Sequence, residues 1–167
     1  ARDGLSFTER HRLDALPGLL AQRLRFADLT LLPRSGPSPA DLMHLFESVL
    51  YHSRAPILLT DRGLGALDRA MIAWDESDVA LAAVRAAAPV LAACDEVEIV
   101  TVDLPGAGED LAQMLSRRGA VPAITPLQRG GRSIAETLIA HGRETGADLI
   151  VAGAYGHARL REMLLGG

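Results

Sequence analysis

The stretch Ala147-Asp148-Leu149-Ile150-Val151-Ala152-Gly153-Ala154-Tyr155-Gly156 sets a short apolar run between an acidic start and a glycine-bounded turn. Four apolar residues with β-branching read as a strand buried on both faces. The glycines that follow end it and let the backbone turn. A second stretch repeats the pattern. Ala27-Asp28-Leu29-Thr30-Leu31-Leu32-Pro33-Arg34-Ser35-Gly36 aligns with it at an offset of 120 residues. Further on, Glu47-Ser48-Val49-Leu50 aligns with Glu162-Met163-Leu164-Leu165 at an offset of 115, so the first copy carries five extra residues near Pro37-Ser38-Pro39. Self-similarity over a strand, a turn and a helix predicts an internal repeat.

Outward from this stretch, short apolar runs alternate with longer amphipathic ones. Residues 29–32, 57–59, 70–74 and 97–102 read as strands, and 121–124 as a weaker one. Helical spacing predicts helices over 13–24, 42–50, 111–115, 134–141 and 160–165. Another starts at Ser77 as N-cap and presents Val79, Ala82, Ala83, Ala86 and Ala87 on one face. Ser133 is the expected N-cap of the helix at Ile134. Strand and helix in alternation imply βαβ units: an α/β fold with an open parallel sheet covered by helices on both faces. The expected domains are a partial, degenerate repeat over 1–60, a linker over 61–69 and a second repeat over 70–167 that lacks its last strand.

Composition narrows the chemistry. All 17 basic residues are arginine, against 21 acidic ones, and the chain has no lysine. A P-loop and a Schiff-base enzyme both require lysine and are excluded. A net charge of −4 argues against nucleic-acid binding, which needs a basic surplus. The lone Cys94 cannot form an intrachain disulfide or a cysteine-rich zinc site, and a reducing, cytoplasmic setting follows as the expectation. No apolar run reaches the roughly 18 residues of a membrane span, so no membrane is expected as a partner. The richness in Ala, Gly, Arg and Leu points to a GC-rich bacterial genome. His44 and His52 flank Glu47 eight residues apart, but paired surface histidines are the simpler reading and no metal site is assigned.

After the strand comes Gly153-Ala154-Tyr155-Gly156, then nine residues, then Gly166-Gly167. This resembles the universal stress protein family, whose nucleotide-binding members carry Gly-x2-Gly-x9-Gly-Ser/Thr at this place. Ala73-Trp74-Asp75-Glu76-Ser77 is similar to the end of the family's first strand, Asp-Gly-Ser. The resemblance implies a Rossmann-like fold of the adenine-nucleotide alpha-hydrolase type, arranged as a tandem repeat. It implies an ATP or related adenine nucleotide site in the second repeat, with Mg as its companion ion. Asp75, beside Trp74, would meet the ribose or adenine, and backbone near Thr101 and Val102 the adenine. Gly153, Tyr155, Gly156, His157, Gly166 and Gly167 would surround the phosphates. The physics agrees with the placement, because glycines after a buried strand admit a phosphate to the backbone and a helix start offers free N–H groups.

The chain departs from the family's pattern at two places. Gly167 stands where a Ser or Thr hydroxyl is usual, and Glu76 stands where glycine is usual and adds negative charge. In the first copy Pro33 replaces Gly153, and Tyr51-His52 replace Gly166-Gly167; proline has no N–H for a phosphate, so this copy reads as structural. No residue reads as a catalytic base, so at most slow ATP hydrolysis is expected. The reading is therefore a stress-response protein that binds an adenine nucleotide, as a homodimer or as a chain whose two repeats imitate one. The alternative is an interaction module of the same fold that binds no nucleotide.

Overall fold

The computed structural model describes residues 24, 26–33, 43, 45–47, 49, 50, 56–60 and 67–153. The chain forms two compact units, 1–63 and 64–167. In the first, β1 (Thr30–Leu32) and β2 (Ile57–Leu59) pair in parallel, with Thr30 opposite Ile57 and Leu32 opposite Leu59. A parallel pair requires a crossover between its strands. Residues 43, 45–47, 49 and 50 within that connection are helical, and Met43, Phe46 and Val49 recur every third position as its buried stripe.

The second unit runs β3 (Arg69–Ala73), α1 (Asp78–Leu91), β4 (Glu96–Val102), α2 (Glu109–Ser116), β5 (Pro122–Leu127), α3 (Ile134–Thr145) and β6 (Leu149–Ala152). Its strands are all parallel, in the order β5-β4-β3-β6. The expected α/β class and parallel sheet are thus observed. The weaker strand expected over 121–124 is β5. It holds Pro122 and Pro126 and lies at an edge of the described sheet, where a missing N–H costs least.

Strand alternation divides the core into two layers. Ala70, Ile72, Val97, Ile99 and Val151 point to one face and pack with Val84 and Leu91 of α1 and Leu111 and Leu115 of α2. Met71 and Val100 point to the other and pack with Leu138 of α3, flanked by Ile134 and Ile150. Each buried Leu or Ile contributes roughly 1.5–3 kcal/mol by leaving water. The buried face of α1 is Ala80, Val84 and Leu91, whereas Ala82 and Ala86, expected on that face, are exposed.

The connections follow from right-handed crossovers. The chain steps from β3 through α1 to β4 and through α2 to β5 in one direction. Then α3, on the opposite face, carries it back past β4 and β3 to β6. Ser77 caps α1 by accepting from the Ala80 N–H at 3.2 Å. Ser133 and Glu136 form a reciprocal capping box on α3, at 3.1 and 2.7 Å. Caps of this kind contribute about 1 kcal/mol each. At the amino ends of the strands, Asp148 Oδ2 accepts from the Asp68 and Arg69 N–H groups at 3.1 and 3.0 Å. Arg69 pairs with Glu96 at 2.7 Å and donates to the Thr145 carbonyl.

Candidate functional site

In an open parallel sheet the two strands that flank a reversal of direction leave a crevice beyond their carboxyl ends. Here those strands are β3 and β6, and the crevice is real. A cavity of about 230 Å³ opens there, lined by Ala73, Trp74, Asp75, Val102, Leu104 and Gly153, among others. Val100 and Ala152 form more of its strand wall. Ile134, Ala135 and Leu138 close it from the first turns of α3. Ala73, Val100, Val102 and Ala152 share one face by alternation, the face α3 covers. The cavity therefore lies between the sheet's carboxyl edge and the N-terminal half of α3. The only ionisable side chain lining it, among the described residues, is Asp75.

Asp75 follows β3 and builds the turn that starts α1. Its Oδ1 accepts from the Ser77 N–H at 3.1 Å and from the Ser77 hydroxyl at 2.5 Å. The carboxylate thus orients the residue that caps the helix, so Asp75 has a structural task as well as a position on the cavity. Between them Glu76 adopts a φ of 62°, in the left-handed region that glycine fills without cost. The glycine expected here from the sequence resemblance would meet that backbone requirement. A non-glycine residue there stores about 1 kcal/mol of strain.

Gly153 lines the cavity, but its missing Cβ faces protein. A methyl placed there would lie 2.8 Å from the Ala80 nitrogen, 3.0 Å from the Ala80 Cα and 3.1 Å from the Val79 carbonyl carbon. Glycine at this place lets the end of β6 pack against the first turn of α1, backbone to backbone. Among the described residues this close packing is its visible role.

Of the residues singled out from the sequence, Trp74, Asp75, Val102 and Gly153 meet around one cavity. Thr101 is not among its lining residues. It alternates with Val102, so its side chain turns to the face of Ile99, where it is buried and its hydroxyl has no hydrogen-bond partner among the described residues. Tyr155, Gly156, His157, Gly166 and Gly167 lie outside the described residues. So do Tyr51 and His52 of the first copy, and His44. Among the described residues no group of three potential metal ligands occurs.

Sequence reasoning missed the contribution of α3. Ile134, Ala135 and Leu138 become site residues only because the helix crosses to the far face. It also missed a polar cluster under α3, where Glu98 accepts from the Thr125 hydroxyl at 2.5 Å and meets His141 Nε2 at 3.0 Å. A carboxylate amid the apolar run 97–102 was the available signal. Beyond β4, Asp103 adopts a φ of 54°, accepts from the Arg129 N–H at 3.2 Å and pairs with the Arg129 guanidinium at 2.6 Å. This ties the carboxyl ends of β4 and β5 together beside the cavity.

Comparison with solved structures identifies the architecture. A universal stress protein from Archaeoglobus fulgidus superposes with a TM-score of 0.65 and 18% identity, over 90% of this chain and 58% of that one. The chain thus spans less than two thirds of that protein. A protein of the universal stress protein family from Burkholderia pseudomallei is 26% identical over 61% of this chain and 92% of its own, with a TM-score of 0.48. A Mycobacterium tuberculosis protein is 26% identical over 63% of this chain and 85% of its own, with a TM-score of 0.44. No protein-family model matches the sequence, and no curated protein matches it.

Proposed function

The chain has the universal stress protein fold, and we propose that the cavity of its second unit binds an adenine nucleotide as part of a stress response. The observation that carries this is the cavity itself, placed where the sheet reverses direction, with Trp74, Asp75, Val102 and Gly153 on its walls. Its apolar walls suit the faces of a purine, and a single carboxylate at the strand end suits ribose hydroxyls, which donate to it. The residues present fit the base and the sugar. Gly153 does not test the phosphate end, because the space its absent Cβ leaves is occupied by α1.

The reading is binding and not turnover, with ATP or a related adenine nucleotide as ligand and Mg as the ion that would accompany a polyphosphate. Tyr155, Gly156, His157, Gly166 and Gly167 are its proposed phosphate-side residues. Thr101 enters only through its backbone. A cytoplasmic setting is proposed from the lone cysteine, and a tandem arrangement from the 27–36 and 147–156 repeat. Pairing as a homodimer, or as two repeats imitating one, completes the proposal. Light scattering coupled to size exclusion separates these: a monomer at all concentrations leaves only the intrachain arrangement.

Titration calorimetry with AMP and with Mg-ATP tests the central claim. Heat of binding at or below millimolar nucleotide is expected. Silence with both ligands, from protein with an intact circular dichroism spectrum, would overturn it. A second reading, an interaction module without a nucleotide, is favoured by Glu76, whose charge and left-handed backbone stand where the family has glycine. Nucleotide released on denaturing protein purified without added ligand would refute that reading.

A further inference from the structure

We propose that the contact between Glu98 and His141 fastens α3 over the cavity, and that protonation of His141 tightens it, so that mild acid holds the cavity closed and neutral imidazole lets its wall move. The claim concerns the wall, whatever ligand the cavity takes, and so goes beyond the adenine reading.

α3 is held unevenly along its length. Its first turns carry Ile134, Ala135 and Leu138, which stand over the cavity. Its second half is fastened to three strands. Gly142 lets the helix approach closely, since a methyl there would lie 3.3 Å from Ile150 Cδ1 of β6 and 3.5 Å from Met71 Cε of β3. Arg69 of β3 donates to the Thr145 carbonyl in the last turn. His141 Nε2 meets Glu98 Oε2 of β4 at 3.0 Å. Of the three contacts, this one stands nearest along the helix to Leu138, and Glu98 shares a strand face with Val100, a lining residue two positions on.

The chemistry of the pair makes it sensitive to protons. A carboxylate only accepts, so Nε2 carries a hydrogen toward Glu98. The Thr125 hydroxyl of β5 holds the other carboxylate oxygen at 2.5 Å. The two side chains are only 15% and 21% exposed, so their attraction is weakly screened. Neutral imidazole offers one hydrogen bond there, and imidazolium adds a full charge to it. Around the pair, Glu96 on the same face of β4 is matched by Arg69 of β3, and Glu144, one turn on in α3, is exposed. β5 and β6 carry no ionisable side chain. Among the described residues His141 is the only histidine, the side chain whose charge ordinarily changes between about pH 5 and 8.

Trp74, the single tryptophan of the chain, lines the same cavity and reports on its wall. On the full chain, acrylamide quenching of its fluorescence is expected to fall as pH drops from about 8 to about 5.5. Amide exchange over 134–138, corrected for its intrinsic pH dependence, should slow severalfold in parallel. His141→Gln keeps a donor without the charge, so both pH dependences should vanish in a folded protein. His141→Leu removes the donor and should raise quenching at every pH; the Gln variant decides the matter if the Leu variant does not fold. A wild-type protein whose quenching and exchange are flat across this range would overturn the proposal. So would a pH dependence that persists in His141→Gln, which would assign the effect to another histidine such as His157.

Discussion

The two ends of the second unit's sheet are built on opposite principles. At the amino ends of the strands, charged groups are matched. Asp148 collects two backbone N–H groups, and Arg69 joins Glu96 to the end of α3. At the carboxyl ends, two non-glycine residues hold left-handed backbone, three carboxylates crowd one turn and a cavity stays open. The same strands serve both ends, so the difference lies in the connections. One end locks the sheet's register, and the other carries backbone strain and an open cavity of the kind found at binding sites.

The largest way to break this contrast is Gly153→Ala. The new methyl would press on the Ala80 and Val79 backbone, which cannot rotate away as a side chain tip would. A loss of about 3 kcal/mol is expected in chemical denaturation, since overpacking a tight contact costs about that much. Loss below about 0.5 kcal/mol, within the range of an ordinary surface change, would mean that β6 and α1 do not approach so closely. Asp148→Ala probes the other end. Two exposed N–H groups would lose their acceptor to water, for an expected loss of about 1–1.5 kcal/mol with no change in ligand binding. Altered affinity would show that the two ends are coupled, and the division would fail.

Much of this division was legible before the structure. The strands announced themselves as short apolar runs, whereas the reversal between β3 and β6 is a matter of strand order, which no local run reveals. Ser77 and Ser133 were readable as caps because each precedes an apolar-periodic run. The face of α1 was not, because alanines at 82, 83, 86 and 87 are nearly uniform in size and polarity, and small residues leave little contrast for a periodicity to show. Val84 and Leu91 decide the buried side, and only packing reveals them. The α3 wall of the cavity was hidden for a different reason. Nothing local tells which face a crossover helix covers; that is set by the direction in which the chain next steps along the sheet.

Thr101→Val sharpens the comparison on the carboxyl side. The Thr101 hydroxyl is buried with no partner among the described residues, and valine has the same shape without the polar atom. Stability should rise by about 1 kcal/mol, because the substitution relieves an unpaid desolvation cost. Adenine-ligand affinity should not move, since the side chain faces away from the cavity. A fall in affinity with unchanged stability would place the hydroxyl in the site after all.

The smallest expected effect belongs to Cys94, just past the end of α1 and on the amino side of the sheet. Burial pushes its thiol pKa up, with further upward contributions from Asp148, Asp68 and Asp95. Its Sγ lies 3.3 Å from the Val90 carbonyl. A raised pKa means that the folded protein holds the proton more tightly than the unfolded chain does. The resulting stabilisation is therefore present below the ordinary thiol value of about 8.5 and is lost as pH rises through the folded one. Alkylation by iodoacetamide should be slower than for a free thiol near pH 8 and should accelerate only at higher pH. Cys94→Ala should remove the thiol's own alkaline loss of stability. Because burial leads the causes, Asp148→Asn should speed alkylation only slightly. A large acceleration instead would make charge, and not packing, the dominant force at the amino end, and the contrast with the carboxyl end would narrow to a difference in how acidic groups are partnered.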